Sequence, residues 1–135
     1  YYAWYEMYPK SLVKVSMPVH PGDSFTGTVT YSASGSFTLK LTDNTTTSSF
    51  TTVQSAKRAR RSSVEWIMEG PSNGLLSDFG SVPFSAASAS INGQTAGLSL
   101  FAGAQSITMV NSAGTVRAQP SVLNSNAFSV AWMHS

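Results

Sequence analysis

The chain has 135 residues, with eight Lys and Arg, six Asp and Glu and no cysteine. That length is one domain, residues 1–135, by the usual size distribution. The missing cysteines exclude disulfides and thiolate chemistry, and only two histidines, His20 and His134, argue against a metal site.

Charged residues make up 10% of the chain, while Ser, Thr and Gly abound, a composition common in extracellular all-β proteins. No apolar run approaches a membrane span, and no lipidation or targeting signal is evident. A chain that opens in mid-strand without Met is expected to be a piece of a longer product. With every carboxylate protonated and both histidines charged, the net charge is +10, carried by eight Lys and Arg and two His. That is modest self-repulsion for this length, so tolerance of acid is expected.

Tyr1 to Tyr8 alternates as a strand does, with Tyr2, Trp4, Glu6 and Tyr8 on one face and Tyr1, Ala3, Tyr5 and Met7 on the other. Pro9, which has no N–H to give, ends it. Leu12 to Met17 reads as a second short strand, and Pro21-Gly22-Asp23 as a turn. Phe25, Val29 and Tyr31 alternate with threonines. After a turn at Ser34-Gly35, Phe37, Leu39 and Leu41 alternate with Thr38, Lys40 and Thr42. The two runs predict a β-hairpin with Phe25, Val29, Phe37, Leu39 and Leu41 inward. Asp43-Asn44 opens a polar loop, and Ser49 to Gln54 is a further strand.

Lys57-Arg58-Ala59-Arg60-Arg61 holds half of all the basic residues. It suits a nucleic-acid patch or a protease-sensitive loop, but a plain solvated loop before a strand is the expectation. Lys10, Lys14, Lys40 and Arg117 are scattered, with none of the basic and aromatic interleaving a nucleic-acid surface needs, so no nucleic-acid partner is expected.

Val64-Glu65-Trp66-Ile67-Met68-Glu69 predicts a strand with Val64, Trp66 and Met68 on one face and Glu65, Ile67 and Glu69 on the other. Two glutamates on one face describe either a solvated edge or a groove in which a carboxylate works, since a buried unpaired charge is costly. Positions four apart on a strand are about 13 Å apart, so the two cannot share a proton. A working Glu takes its partner from elsewhere.

Gly70 to Gly74 reads as a loop and Leu75 to Phe79 as a short helical turn. Ser81 to Ile91, Leu98 to Phe101, Ile107 to Val110, Val116 to Ala118 and Phe128 to Trp132 predict strands, and Gly93 and Gly97 mark turns or close approaches. Short strands at close intervals, with no long helical period and no internal repeat, predict a sandwich or jelly roll. No nucleophile-elbow pattern supports a Ser-His-Asp triad.

Two stretches resemble the signatures of the glutamic peptidases, or eqolisins. Ala3-Trp4-Tyr5-Glu6-Met7-Tyr8-Pro9 is similar to that family's AWYEWYP, with Met7 for Trp. Val64-Glu65-Trp66-Ile67-Met68-Glu69 is similar to its AEWIVE, with Val64 for Ala. Pro21-Gly22-Asp23 falls where the family has a Gly-Asp turn, and Asp78-Phe79-Gly80-Ser81-Val82-Pro83-Phe84 resembles its FG-x-V-x-F segment. Order and spacing agree along nearly the whole chain.

The resemblance implies an antiparallel β-sandwich of the concanavalin A-like jelly-roll kind, completed by a missing N-terminal segment or light chain. It implies a secreted, acid-acting endopeptidase of polypeptide substrates, and the residues themselves lead one to expect no cofactor, metal, nucleic acid or membrane. It places the catalytic Glu at Glu69, the last residue of the second motif, with Tyr2, Trp4, Glu6 and Glu65 as binding or supporting residues. A carboxylate suits general-base work in acid because its ordinary pKa is near 4, and an amide that stabilises an oxyanion does not titrate there.

The family's catalytic Gln lies upstream of AWYEWYP in a W-x-G-I-D-G context. Gln54, Gln94, Gln105 and Gln119 stand in other contexts, so the Gln is expected from outside this chain. Two other classes compete. A carbohydrate-binding module would use Tyr2, Trp4 and Tyr8 to stack on sugar rings. An inactive structural relative would use none of these groups.

Overall fold

The Phe25–Val29–Tyr31 and Phe37–Leu39–Leu41 alternation produces the longest ladder in the protein. In this computed structural model, which describes residues 1–71 and 74–135, β3 (Phe25–Ser32) pairs antiparallel with β4 (Ser36–Asp43) through eight residue pairs, from Phe25 opposite Asp43 to Ser32 opposite Ser36. Gly35, at φ +82°, makes the turn, and its N–H donates to the Ser32 carbonyl. β5 (Ser49–Ser55) adds to the other edge of β4. The register puts Val29, Leu39 and Thr52 on one face, with Tyr31, Phe37 and Gln54 beside them, and Thr28, Lys40 and Thr51 on the other.

The chain divides into two compact units, residues Tyr1–Arg61 and Ser62–Ser135. In the first, β1 (Trp4–Tyr5) pairs antiparallel with β2 (Val13–Lys14), Trp4 opposite Lys14. Val15 and Met17 are buried. Tyr5 stacks on Phe50, with ring centroids 5.9 Å apart, and Gln54 Nε2 donates to the Tyr5 hydroxyl at 3.3 Å. On the face expected to carry Tyr1, Ala3, Tyr5 and Met7, the last three are half-buried and Tyr1 is exposed. Val29 is not inward: it is 71% exposed. It lies on β3, an outer strand, where only β4 supplies a neighbour, whereas Leu39 and Leu41 on the central strand are flanked on both sides and half-buried.

Asp43 closes the β4–β5 turn. Its Oδ1 accepts from the Thr45 and Thr46 N–H groups at 2.8 and 3.2 Å, and its Oδ2 accepts from the Thr46 hydroxyl at 2.6 Å. The carboxylate has no exposed surface, yet it is shielded by its own turn rather than set deep in the protein. The Thr46 hydroxyl bond, seconded by the backbone bonds and opposed by desolvation, holds its pKa below the ordinary value.

In the second unit, β6 (Ser81–Phe84), β11 (Phe128–Trp132), β10 (Val116–Pro120) and β9 (Met109–Val110) form an antiparallel sheet in that order. β7 (Ser88–Ile91) and β8 (Gln94–Gly97) form a separate hairpin, turned by Gly93 at φ +81°. Leu76, Ala118 and Val130 make the core, with Met68, Phe79, Phe84, Met109, Phe128 and Trp132 packed against it; Phe84 and Phe128 stack at 4.7 Å. On β10, Arg117 is buried on the side opposite Ala118, and its Nε and Nη2 have no partner among the described residues.

Three sequence expectations are corrected here. Ser81 to Ile91 is two strands, broken where Ala86 takes φ +53° and the buried Ala87 N–H turns to the Asn126 carbonyl. Leu98–Leu100 is a 3-10 turn, because Gly97 runs against Ser125 and Asn126, 3.2 Å from where its Cβ would stand, and Leu98 and Ser99 bond the Ala87 and Ser125 carbonyls. Leu75 to Phe79 forms no helical turn. The Leu76 carbonyl instead accepts from Trp132 Nε1 at 3.2 Å, and the Asp78 carboxylate takes the Gly80 N–H at 2.8 Å. Of the loop expected over Gly70 to Gly74, residues 72 and 73 lie outside the described residues. No α-helix occurs among the described residues, and none is long and apolar enough to cross a membrane.

Candidate active site

The segment carrying both candidate glutamates keeps a strand's alternation without a strand's ladder. Trp66 and Met68 are half-buried, while Glu65, Ile67 and Glu69 are exposed; Val64, expected on the face of Trp66 and Met68, is exposed as well. The expected strand over Val64–Glu69 is absent: among the described residues, none from 62 to 70 makes a backbone hydrogen bond. Periodicity records which side of a chain is packed; a ladder also needs a neighbouring backbone, and the sheet of this unit ends at β6 and β9.

Side chains therefore hold the segment. Met68 packs into the Leu76–Ala118–Val130 cluster. Gly70 passes close to Met109, whose Sδ lies 3.3 Å from where a Cβ on Gly70 would stand. Glu69 sits between these two inward points, so its own side chain turns outward. It is exposed and makes no hydrogen bond or ion pair with a described residue. Glu65 lies at an apolar groove of about 430 Å³, whose walls include Trp66, Met68, Met109, Leu123, Phe128 and Val130. Glu69 is not among the residues that line this groove.

Tyr2, Trp4 and Glu6 belong to the first unit. Trp4 is 46% and Tyr2 50% exposed, and Glu6 is exposed as well, on the face opposite the inward Tyr5. Lys14 shares the Trp4 face through its pairing, and its Nζ lies 4.2 Å from the centre of the Tyr2 ring. Sequence reading passed over Lys14 as one of several scattered bases. The signal was its placement in the strand that follows Tyr1–Tyr8, but only the register Trp4 opposite Lys14 brings the two together. Gln54 is tied to Tyr5 and to the Thr52 hydroxyl, and so serves the packing of its own sheet. No cluster of three metal-ligating residues occurs among the described residues.

The second unit thus presents Glu69 from a segment anchored by side chains, and the first presents Tyr2, Trp4 and Glu6 on an exposed face. The Peptidase A4 family model matches residues 1–132, and the chain belongs to that family, the glutamic peptidases. The crystal structure of aspergilloglutamic peptidase from Aspergillus niger matches it with a TM-score of 0.82 at 28% identity, over 98% of this chain and 79% of that one. No curated protein matches the chain. The fold is the antiparallel β-sandwich of the family, and the chain is a peptidase of the glutamic type acting on polypeptides.

Proposed function

We propose that the chain is the Glu-bearing part of a secreted endopeptidase that works in acid, with residues 1–135 acting as a single domain. The observation that carries the reading is the placement of Glu69. It is fixed between Met68 in the core and Gly70 against Met109, exposed to solvent and free of described partners. A carboxylate so held can take a proton from a water that attacks the peptide carbonyl, then return it to the leaving amine. A Gln amide, supplied from outside the chain, donates to the developing oxyanion. Tyr2, Trp4, Glu6 and Glu65 serve as substrate-binding and supporting residues. No cofactor enters this chemistry.

The exposed surface favours a complementary segment or light chain. The two units, 14.3 kDa in all, expose 9769 Å² together. Two separate bodies of half the mass would together expose about 8,200 Å². The excess over two such bodies, about 1,600 Å², is more than the roughly 800 Å² per partner that a standard stable interface buries. The backbone of residues 62–70, unpaired among the described residues, offers such a segment hydrogen bonds as well.

The test is peptide cleavage in mild acid by the chain with and without a segment that carries the family's Gln context. Cleavage should require the segment and vanish when its Gln becomes Ala. Equal cleavage by the 135 residues alone would refute the shared dyad. Sedimentation of the chain alone should show self-association, and a stable inert monomer would count against the complementary segment.

A further inference from the structure

We propose that Arg58-Ala59-Arg60-Arg61 is a processing site, cut between Arg61 and Ser62 by a subtilisin-type endoprotease that reads paired basic residues. Such an enzyme has acidic subsites for guanidinium groups at the residue before the scissile bond, the one preceding it and the one two further back. Arg61, Arg60 and Arg58 stand at those three places, with the small Ala59 between. Like charges packed this densely repel one another and favour solvent, and residues 57–65 are all exposed.

A protease also needs the substrate backbone in an extended form, free to bond to its own cleft. Here Arg61 starts from φ +52° and Arg58-Ala59 from a turn, so these four residues must straighten on binding, with few backbone bonds to break. From residue 60 to residue 70 no backbone hydrogen bond is made among the described residues, and upstream only the Ala59 N–H to Ala56 carbonyl bond closes a turn. Arg58 and Arg60 make no hydrogen bond or ion pair with described residues. Arg61 alone is engaged, its guanidinium 3.9 Å from the centre of the Tyr31 ring, a contact that must be released on cutting.

The position of the bond is the second, independent observation. The chain divides into compact units at this same point, the first ending at Arg61 and the second beginning at Ser62. Water adds across the bond: its hydroxyl goes to the Arg61 carbonyl carbon, leaving a carboxylate, and its proton to the Ser62 nitrogen, leaving an amine. Neither β5, which ends at Ser55, nor the core around Leu76 is broken by the cut. The products carry Tyr2, Trp4 and Glu6 on one polypeptide and Glu65 and Glu69 on the other.

The experiment treats the folded 135-residue chain with a paired-basic-specific subtilisin-type protease at neutral pH and identifies the new ends by mass spectrometry. A single cut should appear, giving Tyr1–Arg61 and Ser62–Ser135, at a rate within a few-fold of that in the urea-unfolded chain. Arg61→Ala should abolish it, and Arg58→Ala should slow it about 10-fold or more, with thermal melts of both variants close to the wild type. A cut in the folded chain more than 100-fold slower than in the unfolded one would overturn the proposal. So would a rate indifferent to Arg58, which would mean mere exposure of a basic loop.

Discussion

If side chains alone hold the segment that carries Glu69, Met68→Ala should loosen it while Ile67→Ala should not. A fully buried Met→Ala change costs about 2–5 kcal/mol. Met68 is half-buried against the Leu76–Ala118–Val130 cluster, so about 1–2 kcal/mol is expected. For a body of this unit's size, 1 kcal/mol lowers Tm by about 4–8 °C, so Met68→Ala should melt about 5–15 °C lower. Ile67 is 44% exposed and on the opposite side, and its change should stay within about 0.5 kcal/mol. Trp66 and Trp132 both belong to this unit and are half-buried, so tryptophan fluorescence during heating follows it. Met68→Ala should also lower turnover of the completed enzyme, through the freedom it gives Glu69. An Ile67→Ala loss equal to or larger than that of Met68→Ala would refute the alternation, and no loss at either would refute the anchoring.

Asp43→Asn should reduce Tm most above about pH 4, because a carboxylate with a depressed pKa stabilises fully above its unfolded value and loses that contribution as pH falls through the folded one. Melts from pH 2 to 6 should show wild type and variant converging in strong acid; a gap that widens there would contradict the assignment. Arg117→Met should leave stability unchanged or raise it by about 1–4 kcal/mol, since the guanidinium is buried with two nitrogens unpartnered, and a marked loss in urea titration would reveal a partner. Gly35→Ala should cost more than Gly22→Ala in the same titration. Both have positive φ, but only at Gly35 would the Cβ collide, 2.9 Å from Lys57 Cγ and 3.2 Å from its Cα; equal costs would mean that Lys57 moves aside freely.

Much of this fold is legible in the sequence because local pattern and tertiary role coincide. The hairpin of β3 and β4, its Gly35 turn, the Pro21-Gly22-Asp23 turn and the face shared by Ala3, Tyr5 and Met7 all follow from alternation and turn chemistry. Where the reading departs, the deciding interaction is remote in sequence. Val29 shares its pattern with Leu39 but lies on an outer strand. Leu98 has strand-like neighbours, yet Asn126 crowds Gly97. At the site, the shared face of Glu65 and Glu69 was legible from period two, and the lack of a ladder at Val64–Glu69 was not, because pairing depends on a backbone the segment itself does not encode. The role of Glu69 rests on motif resemblance, since periodicity treats Glu65 and Glu69 alike.

The measurement that separates them is cleavage of a peptide in mild acid by the completed enzyme and its Glu69→Gln and Glu65→Gln forms, with folding checked by thermal melt. Glu69→Gln keeps size and shape but removes the base, and turnover should fall by about 10²–10⁴ with little change in Tm. Glu65→Gln, acting only on a supporting group, should fall far less. Near-normal turnover in a folded Glu69→Gln enzyme would contradict the account, and a larger loss at Glu65 would move the base to that residue.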